Sequence, residues 1–204
     1  MASAILDASQ SLAGTSRKVS QFDWLVEKDA EMVTHDLFAL VKRSIEQVKA
    51  TNDAAEIAAD VPQGTQVRAV RDLDVAVKNF VENALQHGDD GTPPSVSVTV
   101  TVEDERVRLV VADDGPGIPP EEVSVIEEGC ETALDHASGL GFWLVNRVIE
   151  QSGGDLRFKV DDGTQAHVRL PRANAEWPTG TATDKPYYPL LTVDVRGGRR
   201  RPRR

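Results

Sequence analysis

The chain has 204 residues and a formal net charge of −10, enough length for one domain plus an appendage and for a core that needs no metal or disulfide staple. The single cysteine, Cys130, excludes an internal disulfide framework and a cysteine-rich zinc site. A composition of 40% hydrophobic and 27% charged residues is that of a globular protein; no apolar run nears the ~20 residues that cross a bilayer, and no signal-peptide pattern opens the chain, so it reads as soluble and cytoplasmic.

Charge is unevenly placed. Six arginines lie in the last nine residues; without them 17 basic face 33 acidic residues, a net of −16. So acidic a body repels nucleic acid. Seven Lys beside 16 Arg and 19 Asp suits a protein kept soluble in concentrated salt, or reflects simple acidic drift.

Residues 3–28 read as a helix. Ile5, Leu12, Val19 and Val26 fall seven apart, a weak heptad seam that serves either packing on its own domain or dimerisation. A second helix follows Thr34 as cap, with Leu37, Leu40, Val41, Ser44, Ile45 and Val48 on one face. Residues 55–69 read as two short strands around Pro62-Gln63-Gly64. The spacing of Leu73, Val77, Phe80, Val81 and Ala84 predicts a third helix over 72–87. Strands at 95–102 and 107–112 form a hairpin across Glu103-Asp104-Glu105. Residues 113–138 read mostly as loop. A fourth helix runs over 141–152 and stops at Gly153-Gly154. A last hairpin pairs 155–160 with 164–170. Beyond Pro171 the pattern fades, and 173–204 read as a disordered tail with one apolar patch at 187–195. The order predicts an α+β two-layer sandwich: a mixed, mostly antiparallel sheet covered on one face by about three helices and preceded by an N-terminal helix.

Three features carry chemistry. Asn79 and Asn83 share a helix face, and His87 continues the row. An amide oxygen suits a Mg²⁺ that keeps its waters and bridges phosphates, although two asparagines on a helix equally make a solvated face. Asp113-Asp114-Gly115-Pro116-Gly117-Ile118 follows an apolar strand. A carboxylate there accepts from an exocyclic amine, and the glycines permit close backbone approach; an acidic turn explains the same residues. Ser138-Gly139-Leu140-Gly141-Phe142 is a Gly-rich turn opening a helix, where backbone N–H groups can cradle phosphate, or simply a tight turn.

In conjunction, with Gly163-Thr164 following in the last hairpin, these motifs resemble the ATP-binding domain of sensor histidine kinases, a fold shared with gyrase, the ninety-kilodalton chaperone and mismatch-repair ATPases. The resemblance covers about 37–171. The acidic composition and the segment 131–143 look most like kinases of salt-loving archaea. The resemblance implies ATP and Mg²⁺ as ligands. Asn83 would hold Mg²⁺, Asn79 would line the phosphate path and His87 would pack near the nucleotide. Asp113 would read the adenine amine, Gly115 and Gly117 would pass close to the purine, and Ile118 would cover it. Gly139, Leu140, Gly141 and Phe142 would close the phosphate side, and Thr164 would reach the adenine pocket.

The chain departs from the family pattern in places. Gyrase-type relatives carry a glutamate where Asn79 stands, and an amide cannot activate water, which favours phosphoryl transfer over hydrolysis. The stretch 119–137 lacks a phenylalanine-bearing box, Ala137 stands for a glycine, and Phe142 for a leucine. No histidine has the context of a phosphoacceptor. The resemblance therefore implies two-component phosphotransfer from ATP to a histidine outside this chain, on a homodimer partner or another chain, with a response regulator reached indirectly. A non-catalytic ATP-binding regulatory module and an anti-sigma-type serine kinase are the alternatives.

Overall fold

The computed structural model describes residues 31–86, 95–118, 139–174 and 191–195. Eight strands and three helices occur there: β1 (Met32–Asp36), α1 (Leu37–Lys49), β2 (Ile57–Asp60), β3 (Gln66–Val70), α2 (Leu73–Gln86), β4 (Val96–Val102), β5 (Arg106–Asp113), α3 (Gly139–Gln151), β6 (Asp155–Asp161), β7 (Gly163–Pro171) and β8 (Leu191–Val195). The expected N-terminal helix over 3–28, the segment 119–138 and His87 lie outside the described residues.

The main sheet has six strands in the order β2-β4-β5-β7-β6-β8. The β4–β5, β5–β7 and β7–β6 pairs are antiparallel, and the edge pairs β2–β4 and β6–β8 are parallel. Period-2 alternation fixes which side is wet. Val96, Val98, Val107, Leu109, Leu156, Phe158, Val168 and Leu170 point to the helix layer and are buried. Their neighbours, such as Ser97, Thr99, Arg157 and Gln165, are exposed. The expected two-layer α+β sandwich is the observed one.

Helix α2 is the centre of the helical layer, packed between α1 and α3 and against β5 and β4. Its apolar stripe, Leu73, Val77, Phe80 and Val81, is buried. Helix α3 ends as Gly153 takes φ +67 and the Gly154 N–H reaches the Ile149 carbonyl at 2.9 Å. A Cβ at Gly154 would sit 2.5 Å from the Arg169 carbonyl, so only glycine lets this turn press against β7. Just before it, the fully buried Ser152 accepts from the Val70 N–H at 3.1 Å and donates to the Val148 carbonyl at 2.7 Å, tying the helix end to β3.

Three local expectations change. Helix α1 is capped by Asp36, whose carboxylate accepts from the Ala39 N–H at 3.1 Å, and not by Thr34. Thr34 sits in β1, which pairs antiparallel with β3 in a separate two-stranded sheet. The strands flanking Pro62-Gln63-Gly64 do not pair with each other: β2 joins the main sheet beside β4, while β3 joins β1. The tail expected to be disordered supplies β8, which extends the sheet beyond β6. Arg172 and Ala173 are also tied down, through N–H bonds of 2.9 and 3.1 Å to the Glu105 and Gln66 carbonyls.

His167 lies on the wet face of β7, opposite Val110 of β5 and Arg157 of β6. Partial burial, then the charges of Lys159, Arg108 and Arg169, hold its pKa below the usual 6.5. A depressed folded value means the unfolded chain binds the proton first. Stability is then full at neutral pH and falls as pH drops through about 6.5 toward the lower folded value. In urea titrations at a series of pH values, the His167→Gln variant is expected to lose this part of the acid destabilisation.

Candidate functional site

The site forms where α2, the C-terminal end of β5 and the β6–β7 hairpin converge. A solvent-open hollow is lined by Phe80, Asn83, Ala84, Val111, Asp113, Ile118, Phe142, Phe158, Thr164 and Ala166. Asn83 on the helix wall and Asp113 on the sheet wall therefore face one space. They are the two polar groups singled out on sequence for opposite ends of a nucleotide.

Asp113 closes β5 on the core side of the sheet, two residues after Val111. Its Oδ1 accepts from the Gly115 N–H at 3.0 Å and from the Thr164 N–H at 3.2 Å. Two backbone donors, one in the loop that follows β5 and one in β7, fix the carboxylate against the pocket wall. The adjacent Asp114 does different work: its carboxylate accepts from the Ser95 N–H at 2.7 Å and closes the start of β4.

The turns around Asp113 leave no room for side chains. Gly163 has φ +121, and a Cβ there would stand 2.0 Å from the Asp113 carbonyl oxygen. Gly117 has φ +84, and its Cβ would meet Val160 Cγ1 at 2.8 Å. Both positions require glycine, by conformation and by contact. Gly115 contributes its N–H to Asp113, and Ile118 is half-buried on the hollow's lining.

On the opposite wall the Asn83 Nδ2 donates to the Asn79 Oδ1 at 3.1 Å. This orients the Asn83 amide and leaves its oxygen as the group's acceptor. Asn79 is 7% exposed and is not part of the hollow's lining. A Cβ on Gly141 would sit 3.2 Å from the Asn79 Oδ1, so Asn79 is sandwiched between Asn83 and the first turn of α3. Asn79 thus acts here on Asn83 and on the α2–α3 junction. Gly139 and Leu140 belong to the first turn of α3, which begins two residues before the expected Gly141. Among the described residues no group of three or more His, Cys, Asp or Glu side chains could hold a metal.

The floor is aromatic. Phe142 meets Phe158 edge-on at 5.4 Å and 88°, and Phe80 lies 6.4 Å from Phe158. Sequence reading placed Phe80 and Ala84 on the apolar stripe of α2 and gave no ligand contact to Val111, Phe158 or Ala166. The signal was the hairpin register: pairing Val160 with Thr164 puts Phe158 opposite Ala166 on the same face as Thr164. A large ring then lies across from a small side chain, and both line the hollow.

Fold and site together define an α+β sandwich domain with its ligand hollow between the helix layer and one end of the sheet. The chain belongs to the histidine kinase-, DNA gyrase B-, and HSP90-like ATPase family, which matches residues 68–174. The signal transduction histidine-protein kinase/phosphatase MprB of Mycolicibacterium paratuberculosis is 32% identical over 177 residues, 78% of this chain and 33% of that protein. A solved mycobacterial sensor histidine kinase MprB aligns with a TM-score of 0.55 at 29% identity, over 69% of this chain and 98% of the solved one. Full-length ShkA in complex with AMPPNP shares the fold, with a TM-score of 0.64 at 24% identity over 86% of this chain and 39% of that one. The chain spans about a third of the length of the curated relative described.

Replacing Gly163 with Ala is expected to strain the turn and push the Asp113 carbonyl away. A stability loss of about 3 kcal/mol in urea denaturation is expected from the positive φ and the overpacking together. Gly64, with φ +73 and nothing within 4 Å of an added Cβ, is the control that separates conformational strain from collision.

Proposed function

We propose that this chain binds Mg-ATP in the hollow and transfers the γ-phosphoryl group to a histidine carried on another segment or chain, as the catalytic part of a two-component sensor kinase. The observation that carries this reading is the common hollow lined by Asn83 and Asp113 over an aromatic floor. A purine would stack against the apolar lining that Phe158, Ile118 and Phe142 supply. An ionised carboxylate only accepts hydrogen bonds, so Asp113 selects an amino group on the base edge and rejects a carbonyl there. Thr164 stands beside it.

Asn83 would present its amide oxygen to Mg²⁺. One neutral oxygen ligand is a fitting donor set for an ion that keeps its waters and shares the remaining positions with phosphates. When bound, Mg²⁺ neutralises phosphate charge. The chain's own part is to hold Asn83 through Asn79, to offer the N–H groups at the start of α3 toward the phosphates, and to exclude water with apolar walls. Phosphoryl transfer asks little more of a protein than positioning and electrostatics. With an amide at position 79, the described site has no carboxylate beside Asn83 to activate water, which favours transfer over hydrolysis.

The described histidines are placed elsewhere. His35 Nε2 lies 2.9 Å from the Val70 carbonyl in the small sheet, and His167 is on the wet face of β7. Neither lines the hollow. The acceptor is therefore sought outside the described residues.

Calorimetric titration is expected to show ATP binding that weakens roughly 10–100-fold in Asp113→Asn, as a hydrogen bond to a charged group is lost. Asn83→Ala is expected to lower transfer to a supplied acceptor hairpin on the order of 10²-fold while adenosine still binds. Acid-labile, base-stable label on the hairpin supports histidine as acceptor. Acid-stable label points to serine, and binding with no label points to a regulatory module.

A further inference from the structure

The wet face of the main sheet, on the side away from the hollow, gathers cations. Arg108 on β5 stands beside Arg169 on β7. One row along, Val110 stands beside His167, with Arg157 of β6 beyond it. Lys159 follows on the same face, two residues after Arg157. Arg157 and Lys159 are exposed, and Arg108, His167 and Arg169 are half-buried. Strands lie ~4.8 Å apart and rise ~3.4 Å per residue, so the patch is roughly 10 Å across and 14 Å long. In a chain of net charge −10 it is a local reversal of sign.

These cations are incompletely matched. Glu103 serves both Arg108 and Arg169, the latter only at 3.8 Å, and Asp155 lies 3.8 Å from Arg157. Lys159 makes no ion pair among the described residues. Arg108 Nε is buried without an acceptor. The resulting field is felt at His167, where partial burial, then Lys159, Arg108 and Arg169, hold the pKa down.

Size and margins select the occupant. Asp60 on β2 and Asp161 at the end of β6 are exposed at the edges of this face, and Asp194 holds the β8 position beside Lys159. A membrane or a nucleic acid is an extended polyanion and would meet these acids and the acidic body together. A patch ~14 Å long instead matches about four residues of extended chain. Near its centre the half-buried Val110 and Ala112 give an apolar floor beside the cations, which is the make-up of a protein contact.

We propose that this sheet face docks a short acidic segment of a protein partner, with the partner's carboxylates on Arg157, Lys159 and Arg169. Arginine suits the task, because its planar fork grips a carboxylate with paired hydrogen bonds. The face lies across the sheet from the hollow, so the proposal does not rest on what the hollow binds.

The probe is a fluorescein-labelled deca-glutamate peptide, with affinity read by anisotropy in the absence of nucleotide. Three proteins are compared: the unaltered chain, the face variant R157Q/K159Q/R169Q, and a tail variant with R196Q, R199Q, R200Q, R201Q, R203Q and R204Q. The face variant is expected to bind the peptide on the order of tenfold more weakly, as three surface ion pairs are lost. The tail variant is expected to keep most of the binding. Amide chemical-shift changes on adding the peptide are expected at Arg108, Arg157, Lys159 and Gln165. Should the face variant fold poorly, R157Q/K159Q, confined to exposed positions, takes its place. No binding by the unaltered chain, equal affinity in the face variant, or a loss confined to the tail variant overturns the proposal. Vesicles of phosphatidylserine and phosphatidylcholine and a short DNA duplex are run alongside. Face-dependent binding of either without binding of the peptide also overturns it, and assigns the face to that polyanion.

Discussion

One carboxylate organises the site. Asp113 ends β5 on the core face, and its Oδ1 is gripped by N–H groups from two directions, the Gly115 loop and the Thr164 strand. The grip is possible because Gly163 lets the β6–β7 turn lie against the Asp113 carbonyl, where no other residue fits. The negative charge is thereby held at a fixed point beside an apolar slot. The β5–β7 register, the positive-φ glycines and the Phe158–Ala166 pairing all serve that placement.

The opposite wall solves a different problem. In the proposed function Asn83 offers an oxygen, and an amide can present either face. The bond to Asn79 settles the choice, and the first turn of α3 packs on Asn79 from the other side. Movement of α3 relative to α2 would thus be felt at Asn83 through one buried amide. Apolar packing of α2 between α1 and α3 keeps this arrangement in register with the sheet.

Much of this was legible because the strong patterns were local. The stripes of α1 and α2, the unbroken alternation of β4 and the Gly-rich end of α3 each follow from side-chain period and turn chemistry. Asn83, Asp113, Gly117, Gly141 and Thr164 were legible as a combination, since each alone fits an ordinary turn or helix face. What escaped is what depends on distant partners. β1 is five residues long, and its pairing with β3 across α1 leaves no periodic trace. β2 and β3 flank a turn that looks like a hairpin, yet each finds its partner elsewhere. β8 joins the sheet after a long excursion, in a region whose prolines and glycines read as unstructured. Phe158 and Ala166 gave no sign of lining the hollow, because their place there is set only by cross-strand register.

The central claim is that Asp113 and Asn83 receive the two ends of one nucleotide. A crystal structure of this chain with Mg²⁺ and a non-hydrolysable ATP analogue tests it most directly. The account predicts the base between Phe158 and Ile118 with its amino group on the Asp113 carboxylate, and the phosphates on the Asn83 side. A base bound away from Asp113, or phosphates remote from Asn83 with Mg²⁺ held elsewhere, would contradict it.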